Sequence, residues 1–247
     1  LKAVVLAGGA PGELHPRLGK AHIPLAGIEM ARRTLQAVVT APGIEQVVLV
    51  SDVRPDWPEP FEWAPASPDL MGSFESGVRA TQVSHEPVLV CCGDLPLVTP
   101  ESVADVCMRV ARRPEASLWY VYLRQENSLY AYPHLRHTWA RFADGTYCGT
   151  GIMLLRPQVM EAMRSAMERL TFARKNMLRL AGCLGWGNLF NYALGRLTVE
   201  RAERAGQGIF QVKCAGIETP YAELGFNVDD ADSLAEARRI LGDEHVT

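Results

Sequence analysis

Short, wholly apolar runs alternate along the chain with stretches whose apolar residues recur every three or four positions. Lys2–Ala7 (KAVVLA), Gln46–Ser51 (QVVLVS) and Pro87–Cys92 (PVLVCC) predict buried strands. Ser117–Leu123 (SLWYVYL) and Gly151–Leu155 (GIMLL) continue the series. Between them, Glu29–Thr40, Ser73–Ser84 and Pro100–Arg112 have helical spacing. The last has acidic residues early and Arg late, matching the helix dipole. Pro157 opens a further helix in the position Pro favours. Fully apolar strands alternating with helices predict an α/β fold, a parallel sheet covered on both faces.

This rhythm breaks between Gln158 and Gln207, which is almost all helix-compatible and punctuated by Gly182, Gly185, Gly187 and Gly195. Several short helices inserted before the last strands are expected there. Ile209–Cys214 (IFQVKC) predicts a return to strand, Gly225–Val228 a short strand end, and Ala231–Leu241 a closing helix. The Pro-rich stretch Arg54–Pro68 predicts an exposed loop or irregular crossover. With no internal repeat and no low-complexity tract, residues 1–247 are expected to form one domain, with 158–207 as a helical insertion.

Composition narrows the function classes. Of 247 residues, 48% are hydrophobic and 21% charged, a globular balance that argues against wholesale disorder. The formal charge of −3 argues against a broad nucleic-acid surface and leaves room for a small basic phosphate pocket. No apolar run reaches the roughly 18–20 residues of a membrane helix, so no membrane partner is expected. Leu1–Leu6 is strand-like with no basic segment ahead of it, which predicts no signal peptide. The six cysteines, Cys91, Cys92, Cys107, Cys148, Cys183 and Cys214, form no CxxC pair and are expected to be reduced thiols in a cytoplasmic protein. His134 and His137 are three apart in a Pro- and Arg-flanked polar stretch, a poor metal pattern.

Three constellations carry candidate chemistry. Leu6-Ala7-Gly8-Gly9-Ala10-Pro11-Gly12 follows the first strand, with Lys20 eight residues past Gly12. Backbone N–H groups of such a turn can cradle a triphosphate and the lysine can neutralise it. The run is neither GxxxxGK[ST] nor GxGxxG, and a purely structural turn is the competing reading. Asp94, in Cys92–Leu97 (CGDLPL), ends the third buried strand, where open α/β sheets bind ligands. It is placed either to hold Mg²⁺ or to cap the turn. Asn227 and Asp229 are two apart and face one side of an extended segment. They complete an oxygen-ligand set with Asp94, or Asp229 or Asp230 caps the closing helix.

Taken in order, these motifs resemble the nucleotidyltransferases of the nucleotide-diphospho-sugar transferase fold. Within them the chain is most similar to the group that contains the molybdenum-cofactor guanylyl- and cytidylyltransferases. The resemblance rests on LAGGAPGELHPRLGKAHIPLAG at Leu6–Gly27, MGSFESGV at Met71–Val78, VLVCCGDLPLVTPESV at Val88–Val103 and FNVDDADSL at Phe226–Leu234. Gly149-Thr150-Gly151-Ile152 also resembles the acceptor-side Gly motif of the sugar-nucleotide members. It implies a three-layer, Rossmann-like, mostly parallel sheet with helices on both faces and a helical insertion. The implied reaction is transfer of NMP from an NTP to a phosphorylated small-molecule acceptor, with Mg²⁺ as cofactor and pyrophosphate as product. By the same resemblance, Leu6, Ala7, Gly8, Gly9, Gly12, Lys20, Ser73, Ser76 and Gly77 contact the nucleotide, with capping of a helix N-terminus the competing reading for Ser73 and Ser76. Lys20, Arg17 and Asp94 are catalytic, and Asp94, Asn227 and Asp229 hold the metal.

One departure matters. The family places an Arg shortly after the Gly loop, where this chain has Glu13-Leu14, and the nearest Arg is Arg17. A triphosphate keeps its charge requirement wherever the loop runs, which favours Arg17 as the replacement. The helical insertion, where the resemblance thins, carries Arg174, Lys175, Arg179, Arg196 and Arg201. They form either an acceptor-phosphate clamp or a solvated basic face. A non-catalytic nucleotide-binding protein is disfavoured because Lys20 and Asp94 are both retained. A metal-dependent glycosyltransferase is disfavoured because no DXD follows a central strand. The base, the acceptor and a homodimeric state are left open.

Overall fold

The apolar runs become the interior of an eight-stranded sheet. The computed structural model describes residues 1–173, 191–192 and 194–243. Arg174, Lys175, Arg179, Gly182, Cys183, Gly185 and Gly187 therefore lie outside the described residues. The sheet strands are β1 (Lys2–Leu6), β2 (Gln46–Ser51), β3 (Glu62–Pro65), β4 (Val88–Cys92), β5 (Leu118–Arg124), β6 (Ala140–Phe142), β7 (Gly145–Leu155) and β8 (Cys214–Thr219). Their order is β8-β5-β7-β4-β1-β2-β3, with β6 paired to β7. β1 lies between β4 and β2 in parallel register, Val4 opposite Val90 and Val48. β7 alone in this row runs antiparallel to its neighbours, β4 and β5. The sheet is thus mostly parallel, as expected.

The helices are α1 (Met30–Thr40), α2 (Leu70–Ala80), α3 (Pro100–Ala111), α4 (Gln125–Ala131), α5 (Met160–Ala173), α6 (Val199–Phe210) and α7 (Ala231–Ile240). Alternate strand residues point to opposite faces, so each strand feeds two cores. Ala3, Val5, Leu49, Leu89 and Val121 pack with Leu35 and Val38 of α1 and Val103 and Val106 of α3. Val4, Val48, Val50 and Val90 pack on the other face with Phe74 and Val78 of α2 and Met163 of α5. Burying each Val or Leu fully contributes roughly 1.5–3 kcal/mol. The result is the three-layer arrangement the pattern implies.

A third apolar cluster positions the site. Ile23, Leu25 and Met30, from the segment after the Gly-rich loop, pack with Phe226 and Val228 and with Leu234 and Ala237 of α7. This joins the beginning of the chain to its end.

Four sequence expectations change. Ile209 and Phe210 finish α6, which ends where Gln211 takes a left-handed φ of 57°, and the strand begins only at Cys214. The apolar residues read there as a strand include Phe210 and Val212, which pack on the α2–α5 face. Gly225–Val228 is not a strand: Ala222–Gly225 forms a 3₁₀ turn. Phe226 and Val228 are buried while Asn227 is half-buried and Asp229 exposed, an alternation without a ladder. Within Arg54–Pro68, Glu62–Pro65 pairs with β2 as an edge strand. α2 starts at Leu70, not Ser73, because the Asp69 carboxylate accepts from Gly72 N and caps it.

Gly77 lets α2 lie close to the sheet. A Cβ there would stand 2.5 Å from Val4 Cγ1 and 2.7 Å from Val50 Cγ2, both on fully buried side chains. Gly12, by contrast, has open space. Gly77→Val is expected to lower stability by about 3 kcal/mol, the upper end of overpacking costs, read as a lower urea midpoint. Gly12→Ala should leave the midpoint nearly unchanged.

Candidate active site

β4 delivers Asp94 to the edge of the sheet at which the parallel strands end. Gly93 N donates to Leu6 O at 2.8 Å, tying the turn after β4 to the end of β1. Val228 N donates to Asp94 O at 3.1 Å, so the C-terminal segment lies directly beside the same turn. Asp94 is 8% exposed. Lys20 Nζ lies 2.5 Å from Asp94 Oδ2 and 2.7 Å from Asp229 Oδ1. Asn227 Nδ2 donates to Asp94 Oδ1 at 3.1 Å. Four of the residues expected at the site thus meet at one place: Lys20, Asp94, Asn227 and Asp229.

Burial of Lys20 pulls its pKa down, but the charge of Asp94 and the hydrogen bonds that Lys20 donates to Asp229 and Asp94 outweigh it and raise the pKa overall. The ammonium is therefore charged across the neutral range. Burial, with the neighbouring Asp94 charge, pushes the Cys92 thiol up to about 12. It is a neutral thiol and no nucleophile. The five described cysteines are all free.

The Gly-rich loop is held by contacts that exclude side chains. A Cβ on Gly8 would collide with Ala66, and one on Gly19 with the Gly9 carbonyl. Gly9 has φ +140°, and its N–H donates to Asp52 Oδ2 at 3.1 Å. Asp52 was not anticipated, although it directly follows the strand QVVLVS, the same position that singles out Asp94 after β4. Gly8, Gly9 and Gly12 are exposed on the loop. Leu6 and Ala7 sit differently: Leu6 O accepts from Gly93, and Ala7 N donates to Val50 O at 2.7 Å. Those two backbone groups seat the loop on the sheet. Arg17 is exposed on the short strand His15–Gly19, and no acidic partner faces its guanidinium among the described residues.

Ser73, Ser76 and Gly77 serve the crossover from β3 to α2. Ser73 Oγ accepts from Ser67 N at 2.9 Å and donates to Ser67 O at 3.2 Å. Ser76 Oγ donates to Pro65 O at 2.7 Å. Asp69 does the capping, so neither serine is an N-cap, and Gly77 faces the core. None of the three hydrogen-bonds to the Lys20 cluster.

A pocket of about 450 Å³ opens beside Asn227 and Asp229, walled by residues 134–138, Cys148, Gly149 and the start of α7. Arg136 lies 3.7 Å from Asp232, one of its carboxylates. His137 Nε2 is 2.9 Å from Ser128 Oγ, and its ring meets Trp139 edge-on at 4.9 Å. Burial lowers the His137 pKa, partly offset by the charge of Asp229, so the imidazole is neutral at pH 7. His134 and His137 thus belong to a pocket wall, which their polar surroundings in the sequence did not disclose.

Among the described residues, no three His, Cys, Asp or Glu side chains gather around one point as a dedicated metal cage would. Two carboxylates do converge, on the Lys20 ammonium. Mg²⁺ commonly takes one or two protein carboxylates and completes its shell with water and phosphate oxygens. Asp94 and Asp229 fit that share of a Mg²⁺–nucleotide site, and Asn227 orients Asp94 through its amide.

The mostly parallel sheet, the Gly-rich loop after β1 and the carboxylates at the strand ends place a phosphate-ligand site where open α/β sheets bind their ligands, and the sequence that builds it matches a nucleotidyltransferase family. Residues 3–176 match the MobA-like NTP transferase domain, and the chain belongs to that family. A hypothetical transferase from Thermus thermophilus is similar at 31% identity and a TM-score of 0.81, over 94% of this chain and 98% of that one. 4-Diphosphocytidyl-2C-methyl-D-erythritol synthase from Anaerococcus prevotii shares the fold at 12% identity and a TM-score of 0.58, over 98% and 97% of the two chains. CMP:2-keto-3-deoxy-manno-octonic acid synthetase, solved with CTP, does so at 15% identity and 0.57, over 99% and 100%. No relative emerges among curated proteins. Among the described residues, no helix is long and apolar enough to cross a membrane.

The segment carrying Asp229 is fixed by the helix behind it. The Asp230 carboxylate accepts from Ser233 N at 2.8 Å, and Ser233 Oγ accepts from Asp230 N at 3.0 Å, a reciprocal cap on α7. The bond from the Ser233 backbone, with that from its side chain, holds the Asp230 pKa below the ordinary 3.8. Its stabilisation is present above 3.8 and lost as pH falls through the depressed folded value. Asp230→Ala is expected to cost about 1 kcal/mol at pH 7. In chemical denaturation across a pH series, the gap to the parent chain should close below pH 3.8.

Proposed function

We propose that the chain catalyses Mg²⁺-dependent transfer of NMP from an NTP to a small phosphorylated acceptor, releasing pyrophosphate. The observation that carries this reading is the meeting of Lys20, Asp94, Asn227 and Asp229 beside the Gly-rich loop. Phosphoryl-type transfer needs positioning and charge neutralisation more than a covalent nucleophile, and the neutral Cys92 thiol offers none. Gly8, Gly9 and Gly12 present backbone to the triphosphate. Lys20 and Arg17 meet the negative charge that grows on the departing pyrophosphate. Asp94 and Asp229 hold the metal, with Asn227 keeping Asp94 in place. Bound Mg²⁺ supplies charge neutralisation and alignment of the phosphates for in-line attack. The pocket beside Asp229 carries Asp229, Asp230, Asp232 and Glu236 against Arg136, which is itself paired with Asp232, so the acceptor phosphate is not assigned to it. A cytoplasmic setting belongs to the same reading, supported by the five free thiols.

The test is a thermal-shift matrix of the four NTPs with Mg²⁺, followed by pyrophosphate release against a panel of phosphorylated acceptors. CTP belongs in it with particular interest, because the octonic acid synthetase of the same fold was solved with CTP. Asp94→Asn should abolish release while circular dichroism stays unchanged, since the amide keeps the shape and loses the charge. Lys20→Ala should slow the chemical step by roughly 10²–10³, the scale of removing one transition-state donor, with NTP affinity falling less. Near-parental release from Asp94→Asn would overturn the reading.

A further inference from the structure

The Lys20 ammonium sits between the two carboxylates assigned to the metal. It is 2.5 Å from Asp94 Oδ2 and 2.7 Å from Asp229 Oδ1, hydrogen-bonding distance to both. Mg²⁺ binds carboxylate oxygens at about 2.0–2.1 Å and needs those same oxygens. A divalent ion and an ammonium cannot share that gap, because both their volumes and their charges collide. One must leave when the other arrives.

The surroundings decide which part moves. Lys20 opens a 3₁₀ turn in which Ile23 N donates to Lys20 O at 3.2 Å. Ala21 and Ile23 are buried, Ile23 in the cluster with Phe226 and Val228. The backbone is therefore fixed. The Lys20 side chain is 36% exposed and that of Asp229 72%, so the ammonium has an open way out on a flexible stem. Asp94 is the opposite case, an almost buried carboxylate that is costly to leave without a counter-charge.

We infer that Lys20 is a placeholder cation: it neutralises Asp94 and Asp229 while no metal is bound and yields both to the metal that arrives with the nucleotide. Its ammonium then passes to the phosphate oxygens brought by the same ligand. This rests on the nucleotidyl-transfer reading and adds an order to it. Metal alone binds weakly, because it displaces an ammonium and offers no new anion in return. Metal and triphosphate bind cooperatively, because the phosphates take up the charge the metal evicts, and the coupling is reciprocal.

The experiment follows Mn²⁺ binding by electron paramagnetic resonance, first with the metal alone and then with the α,β-methylene analogues of the four NTPs. Without nucleotide, Lys20→Met should bind Mn²⁺ about tenfold more tightly than the parent chain or more, because the competing charge is gone. Lys20→Arg, which keeps the charge, should not. In the parent chain, acylation of Lys20 by an N-hydroxysuccinimide ester, read by mass spectrometry, should rise on addition of Mn²⁺ alone. A folded Lys20→Met that binds Mn²⁺ no more tightly than the parent chain overturns the inference. If that variant does not fold, unchanged Lys20 acylation at saturating Mn²⁺ overturns it instead. Mn²⁺ affinities as expected, with no pyrophosphate released from any NTP and acceptor pair, would sink the transfer reading and leave the placeholder standing. Pyrophosphate release with equal Mn²⁺ affinities would sink the placeholder alone.

Discussion

A carboxylate that is 8% exposed at the end of an interior strand needs a positive charge at contact distance, or its ionised form is too costly to keep. Asp94 meets that need with Lys20, and much of the molecule's connectivity follows from bringing the two together. Lys20 comes from a loop after β1, Asp94 from the end of β4, and Asp229 from the segment before α7, 209 positions beyond Lys20. The parallel register of β1 and β4 sets the first two side by side. The third arrives through the backbone bond from Val228 to Asp94.

Charge alone would hold such an arrangement poorly at a half-exposed surface, where ion pairs are worth little. The apolar cluster behind it does more. Ile23 and Leu25 on one side, Phe226 and Val228 on the other, are all essentially buried. They fix the backbones on which Lys20 and Asp229 stand, while the reciprocal Asp230–Ser233 cap sets where α7 begins. Stability thus comes from hydrocarbon and capping, and the charged groups in front remain available for exchange.

The strands of the central sheet were legible because buried parallel strands leave wholly apolar runs, as in KAVVL and VLVCC. The Gly loop, Lys20, Asp94, Asn227 and Asp229 stood out by residue type and by position after strands. Their meeting at one point was not legible from spacing, since it depends on packing between segments some 200 residues apart in sequence. Ser73, Ser76 and Gly77 stood out through a motif, yet their geometry ties them to the β3–α2 crossover and the core. Period-two burial misled at Phe226–Asp229, because a chain packed on one side alternates whether or not a neighbouring strand pairs with it. The end of α6 was hidden by Ile209 and Phe210, whose β-like character is overridden by the Thr198 cap and the left-handed Gln211.

The reversed direction of β7 has an evolutionary consequence. Leu155 at the end of β7 pairs with Leu118 at the start of β5, and Leu118 pairs with Cys214 at the start of β8. The chain therefore departs from the sheet and rejoins it two strands away, a doorway about 10 Å wide at the usual strand spacing. The chain leaves the sheet at Arg156 and reaches it again after Lys213. On the described return, Leu197 O accepts from Ala143 N, and Val199 N meets the Asp144 carboxylate, both beside the β6–β7 turn. α6, on the way back, has no buried residue. A helix such as α6 can drift in sequence while Met163 of α5, the sheet, the loop and the carboxylates keep their places. A lineage built on this frame can remodel one part of the protein without renegotiating the rest.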